Sequence, residues 1–174
     1  MFNISEIVSN ERLGNICHIS TGKLDANAME DNGKYPFFTC AEEVYKINHY
    51  DFDDEALLIS GNGVNVGYIH YYKGKFNAYQ RTYILKSFQE NIRYVQLFLE
   101  TYLHKRIELE KNTGNTPYIV LGTLSDMFIR FPKREKQEQI VRTVSAIKLK
   151  LETEKQYLQN LKHQKYYLLS TLFI

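Results

Sequence analysis

Residues 135–172 read EKQEQIVRTVSAIKLKLETEKQYLQNLKHQKYYLLSTL, a stretch without a single glycine or proline. Such composition favours helix, because neither the backbone freedom of glycine nor the missing amide of proline interrupts the hydrogen-bond ladder. Counted in sevens, Ile140, Ile147, Glu154, Leu161 and Leu168 form one column. Val144, Leu151, Leu158, Lys165 and Leu172 form a second, and eight of the ten positions are apolar. A 3.5-residue repeat held over more than four heptads predicts a coiled-coil helix. At a 1.5 Å rise per residue it runs about 57 Å, farther than a small globular part can cover. Ile140, Val144, Ile147, Leu151, Leu158, Leu161, Leu168 and Leu172 are therefore expected to face a partner helix.

Upstream of Pro132 the spacing changes character. Ala56–Ile59, Gly67–Tyr72 and Thr82–Leu85 are short runs of aliphatic, β-branched and aromatic residues punctuated by Asn and Gly, the pattern of strands and turns. Residues 92–110 place apolar side chains at helical spacing and predict a core helix, with Gly114 as the stop signal beyond it. The expected fold is α+β, a strand-rich domain over residues 1–132 followed by one long coiled-coil helix over 133–174. With 174 residues there is no room for two large catalytic domains.

Charge divides at the same boundary. The chain carries 22 basic and 20 acidic side chains, yet residues 133–174 have a net charge of +5 and residues 1–132 of −3. Within the first part Asp51, Asp53, Asp54 and Glu55 cluster, and no acid follows until Glu90. The acid-free interval holds Lys73, Lys75, Arg81 and Lys86 beside Tyr68, Tyr71, Tyr72, Tyr79 and Tyr83, with Asn62, Asn65, Asn77 and Gln80 among them. Lys and Arg neutralise phosphates, whereas Asn, Gln and Arg carry the paired donors and acceptors that match base edges. The alternative is a solvated sheet face with tyrosines at its rim.

Catalytic motifs fail one by one. Ser60–Gly67 (SGNGVNVG) contains the spacing of a nucleotide loop but runs into the aromatic stretch 68–72 instead of a helix whose amides could face a phosphate. A tight hairpin whose glycines let a partner approach is the better reading. Asn115-Thr116-Pro117-Tyr118 departs at its second position from the Asn-Pro-Pro-Tyr/Phe motif of adenine methyltransferases, and reads as a turn. No Asp or Glu is followed two residues later by Lys, which removes half of the common nuclease motif, and the cluster at 51–55 reads as a solvated turn. No metal site, cofactor or nucleophile elbow is expected. Two cysteines, Cys17 and Cys40, no secretory start and no apolar run of membrane-spanning length point to a cytoplasmic chain without membrane attachment.

The ordered succession of short motifs carries a resemblance. Arg12-Leu13-Gly14-Asn15-Ile16, Thr21-Gly22-Lys23-Leu24 and Tyr35-Pro36-Phe37-Phe38 come first. The stretches 56–61, 67–69 and 74–83 follow, then 113–116, Phe131-Pro132, Glu138-Gln139-Ile140 and the long helix ending in residues 168–173. Together they resemble the target-recognition domain and helix of type I restriction-modification specificity subunits. The resemblance implies a non-catalytic protein that reads double-stranded DNA, with a methyltransferase subunit and, for cleavage, a restriction subunit as partners. A full specificity subunit holds two recognition domains and two antiparallel helices, so this chain looks like a half-subunit. Pairing as a homodimer would then predict an inverted-repeat target. Candidate DNA contacts are Lys23, Asn62, Asn65, Lys73, Lys75, Asn77, Tyr79, Gln80, Arg81, Asn115 and Thr116. The competing class is a coiled-coil protein-interaction module without DNA binding; a lone DNA-modifying enzyme is the third.

Overall fold

A computed structural model describes residues 7–110 and 117–173, and these divide into two compact units, one ending at Gln137 and the other beginning at Glu138. In the first unit a six-stranded sheet has the order β2-β7-β5-β6-β3-β4, built from β2 (His18–Thr21), β3 (Tyr35–Phe38), β4 (Tyr45–Ile47), β5 (Phe52–Ser60), β6 (Ile69–Ala78) and β7 (Thr82–Lys86). All its pairings are antiparallel except β3 with β6. A separate ribbon pairs β1 (Ile7–Arg12) with β8 (Phe128–Pro132). The short helix α1 (Leu13–Ile16), the long α2 (Ile92–Glu110) and the short α3 (Leu121–Ser125) complete the unit. The chain is α+β, a strand-rich domain with a long C-terminal helix.

The central strand explains why the sheet has two cores. Ala56-Leu57-Leu58-Ile59 is an unbroken apolar run, so both faces of β5 must be covered. Side chains alternate across a strand. Leu57 and Ile59 accordingly pack with Leu85 and with Val95, Leu99, Leu103 and Ile107 of α2, while Ala56 and Leu58 pack with Phe38, Phe76, Ala78 and Ile84. The buried positions of α2 recur at intervals of four, one face of a helix, as its sequence periodicity predicts.

Closure of the second core follows from a short link. β6 and β7 flank β5 on opposite sides, yet only residues 79–81 separate them, too few to pass around the outside. The last residues of β6 therefore lean across the face of β5, which brings Phe76 and Ala78 over Leu58. Gly22 sits where this closure is tightest, since a Cβ there would run into the Ala78 carbonyl.

Two local readings are corrected by this topology. Asp53, Asp54 and Glu55 lie within β5 and not in a solvated turn; only Asp51 precedes the strand. The β5–β6 connection is an eight-residue loop, 61–68, in place of a tight hairpin. Its Gly61 gives its missing side-chain space to the backbone of Arg81 in this same chain.

The second unit is the continuation of α4 (Arg134–Leu172), a single uninterrupted helix of 39 residues. Its length is about 58 Å at the ordinary rise. Ile147, Leu151, Leu158, Leu161, Leu168 and Leu172, six of the eight apolar seam residues, are exposed, and Ile140 and Val144 are partly covered. Among the described residues no helix is long and apolar enough to cross a membrane.

Candidate nucleic-acid interface

Four connections meet at one end of the sheet and are tied to one another through main-chain hydrogen bonds. The amide of Gly61 donates to the carbonyl of Arg81 at 2.9 Å and that of Ile119 to the carbonyl of Gly61 at 2.9 Å. Gly63 donates to Pro117 at 3.1 Å, and Asn62 bridges to Tyr118. Gln80 donates to the Leu24 carbonyl at 2.9 Å, and Leu24 pairs with Tyr79. Tyr79 in turn donates to Phe38 at 2.9 Å, at the mouth of the loop holding Cys40. The loops after β2, β3, β5 and β6, with the segment entering α3, thus form one held surface. Backbone bonds of this kind fix loops on a scaffold more firmly than side-chain contacts alone.

Side chains on this surface are polar and partly ordered. Asn65 donates its amide to the Cys40 carbonyl at 3.2 Å, and Gln80 donates to the Asp25 carboxylate at 2.9 Å. Lys23 and Arg81 are exposed, and among the described residues neither has an acidic partner within 4.0 Å. Thr21, Gly61, Gln80, Arg81, Tyr83 and Ile119 line a cleft of about 300 Å³ there. Burial raises the pKa of the Tyr83 hydroxyl above its ordinary value, and the nearby Arg81 charge opposes this in part.

Of the sequence-predicted contacts, the structure brings Lys23, Asn62, Asn65, Tyr79, Gln80 and Arg81 together. Asn115 and Thr116 lie outside the described residues, although Pro117, which follows them, joins the surface. Asn77 is removed from the set of base contacts. It is fully buried, with its side-chain oxygen accepting from the Ala78 amide at 2.9 Å, and burial keeps its side-chain nitrogen out of reach of a base.

The basic strip is also not what its composition suggests. β5 and β6 pair so that Glu55 opposes Lys73 and Asp53 opposes Lys75. Lys73 lies 3.5 Å from Glu55, and Lys86 on β7 lies 2.7 Å from Asp54. Lys75 stands 4.5 Å over the Tyr50 ring; the Tyr50 hydroxyl, then the charge of Asp53 among the smaller causes, hold its ammonium above its ordinary pKa. The Glu55 carboxyl falls below its ordinary value, chiefly because Tyr71 donates to it at 2.6 Å and secondarily because of Lys73. Positive charges that are crowded in sequence are neutralised across the sheet by acids 18 to 32 positions away. The Lys73–Glu55 pair, the more exposed of the two, adds little stability, but both pairs reduce the local positive potential.

The tyrosines divide likewise. Tyr71 serves Glu55, Tyr72 packs against Phe38 and Phe76, and Tyr83 donates to the Ile119 carbonyl at 3.1 Å. Tyr68 and Tyr79 remain half-exposed at or beside the loop surface. Sequence reasoning passed over Asp25, Cys40, Ala41 and Tyr118, all of which the fold brings to this surface; His70 reaches it by its ring, 3.1 Å from the Ala41 carbonyl. Nothing in their spacing signals it, because they come from separate parts of the chain, with only Cys40 and Ala41 adjacent.

The comparisons with known proteins agree in one direction. Residues 7–163 match the family model described as the type I restriction modification DNA specificity domain. The specificity subunit of the Escherichia coli type I restriction enzyme EcoDI is 39% identical over 150 residues, which is 86% of this chain and 33% of that one. A putative type I specificity subunit of Mycoplasma pneumoniae, S.MpnORF201P, is 30% identical over 75% of this chain and 57% of its own length. This chain therefore spans between a third and just over half of these two relatives. The fold is shared with the S subunit of M. genitalium, at a TM-score of 0.70 and 17% identity over 88% of this chain and 42% of that one. It is shared too with the HsdS subunit of Thermoanaerobacter tengcongensis, at 0.62 and 20% over 83% and 38%. A match that runs unbroken through the sheet, the loop surface and most of the long helix covers both compact units, and by it the chain belongs to the family of type I restriction-modification DNA specificity domains.

Proposed function

We propose that the loop surface bearing Lys23, Asn62, Asn65, Tyr79, Gln80 and Arg81 binds duplex DNA in a sequence-specific way, without itself performing chemistry. One observation carries the reading. Among the described residues Lys23 and Arg81 have no acidic partner and stand beside polar, hydrogen-bonding side chains, whereas Lys73 and Lys86 are neutralised by Glu55 and Asp54. Phosphate contacts by Lys23 and Arg81 would set position, and the amides beside them would read base edges. Asn115 and Thr116, on the segment leading to Pro117, extend the candidate set.

The exposed stripe of α4 is the dimerisation element in this reading. A second copy placed antiparallel along it would hold two identical recognition surfaces about a two-fold axis, and the target would be an inverted repeat with an unread spacer. A methyltransferase subunit, and a restriction subunit for cleavage, would dock on that frame and supply all cofactor chemistry. Such an assembly works in the cytoplasm.

Fluorescence anisotropy with a duplex library tests the DNA-binding reading. Affinity falls steeply as salt rises from about 50 to 200 mM if phosphates are neutralised, because counterions are released. Absence of any DNA binding at low salt refutes it. The same stripe also favours a second reading, a protein-interaction module, which predicts self-association with no response to DNA.

A further inference from the structure

The hydrogen bond between Gln80 and Asp25 has a consequence for base choice. A carboxylate can only accept, so the Gln80 amide must turn its nitrogen toward Asp25, and the two ends of the amide are not interchangeable. The carbonyl oxygen and the second N–H of Gln80 are then left over as an ordered acceptor and donor pair. In the major groove only adenine offers the complement, a donor at N6 beside an acceptor at N7. Both residues are exposed, and their loops are already locked to each other by the Gln80 amide on the Leu24 carbonyl and by the Leu24–Tyr79 bridge. Lys23 and Arg81, which have no acidic partner among the described residues, lie within two positions of the pair on either loop, where they could hold the phosphates that set its register.

Resting on the DNA-binding reading, we propose that Gln80 reads one adenine of the target by a bidentate contact and that Asp25 is the positioning residue that orients its amide. Orientation fixed before binding removes a rotamer cost at the moment of contact. Asp25 thus acts on specificity without touching the base.

The test is selection from a randomised duplex library with the full chain and three variants, scored as base preference at each position. The unmutated protein enriches adenine at one position per recognition surface. Q80A loses that preference by about 5- to 150-fold while other positions keep theirs. D25A relaxes the same position by about 2- to 12-fold, the range for freeing one rotamer-rich side chain. D25N faces Gln80 with an amide that can donate as well as accept, so the orientation is no longer fixed and the same position relaxes as in D25A. A purely structural role for the pair would weaken all positions together, and that result overturns the assignment. Sequence enrichment by the unmutated chain with no change in Q80A overturns the assignment alone; no enrichment at all overturns both the assignment and the DNA-binding reading.

Discussion

Gln137 is the most informative single substitution in the globular unit. Its side chain is 1% exposed and makes three bonds. The amide nitrogen donates to the Pro132 carbonyl at 3.0 Å and to the Glu90 carboxylate at 2.9 Å, and the amide oxygen accepts from the backbone of Asn91 at 3.3 Å. Asn91 itself caps α2, its side-chain oxygen accepting from the amides of Arg93 and Tyr94. Gln137 therefore ties the end of β8 and the first turn of α4 to the start of α2. A neutral buried bond contributes about 0.5–1.5 kcal/mol and one to a charged partner about 1.5–3 kcal/mol. Glu90 keeps some solvent access, and the bond from Asn91 is long, so Gln137→Ala is expected to cost about 3 kcal/mol. For a domain of this size that lowers Tm on the order of 10 °C. Urea unfolding followed by tyrosine near-ultraviolet dichroism measures it, since the chain has 14 Tyr and no Trp. Gln137→Glu is a control with a distinct signature. Its buried carboxylate would face the Pro132 carbonyl and Glu90, so its pKa is raised. The protein is then less stable than the alanine variant at neutral pH and recovers as pH falls through that raised value. A loss below about 1 kcal/mol for Gln137→Ala, with no pH response in Gln137→Glu, refutes the role given to this side chain.

Arg81→Ala is expected to weaken DNA binding by about 1–3 kcal/mol, while Lys73→Ala and Lys75→Ala change it by less than about 0.5 kcal/mol, measured by anisotropy; equal losses at all three restore the strip as the interface. Replacing Leu151 and Leu158 by Glu should convert a dimer to a monomer in light scattering without changing the near-ultraviolet spectrum, and an unmutated chain that is monomeric at micromolar concentration removes the two-fold model. Burial pushes the Cys17 thiol up to about 12, so it stays protonated where the unfolded thiol, near 9, ionises. Its contribution to stability is complete below pH 9 and declines by about 1.4 kcal/mol per pH unit from there toward 12. Thiol titration of the native protein at pH 8 should find Cys40 reactive and Cys17 silent until urea is added; prompt labelling of both would contradict the burial. Gln80→Ala completes the set with its loss of adenine preference at a single position.

Local rules made a large part of the fold legible. The α2 helix spans residues 92–110, as its four-residue apolar spacing predicts; β5 and β7 cover the runs 56–59 and 82–85, while β6 takes only Ile69–Tyr72 of the run 67–72 and leaves Gly67 and Tyr68 in the loop. Family membership was also carried by the order of short motifs, whose chemistry is written in adjacent residues. The site was legible only in part. Loops at 23, 62–65 and 79–81 could be suspected from their polar residues, but Asn77 looks identical to its exposed neighbours in a linear text, and burial alone removes it.

Periodicity, glycine and proline placement and apolar runs act over a few residues, so the sequence by itself determined which segments are helix or strand and that α4 carries an uncovered stripe. Electrostatics acts through space. Whether Lys73 and Lys86 are free depended on a strand register that sets Glu55 and Asp54 against them, and whether Gln80 has one orientation depended on a loop 55 residues away. Those pairings join segments 18 to 55 residues apart, which meet only when the strands pair and the loops pack; tertiary structure therefore decided which of the basic and amide side chains remain available to a ligand.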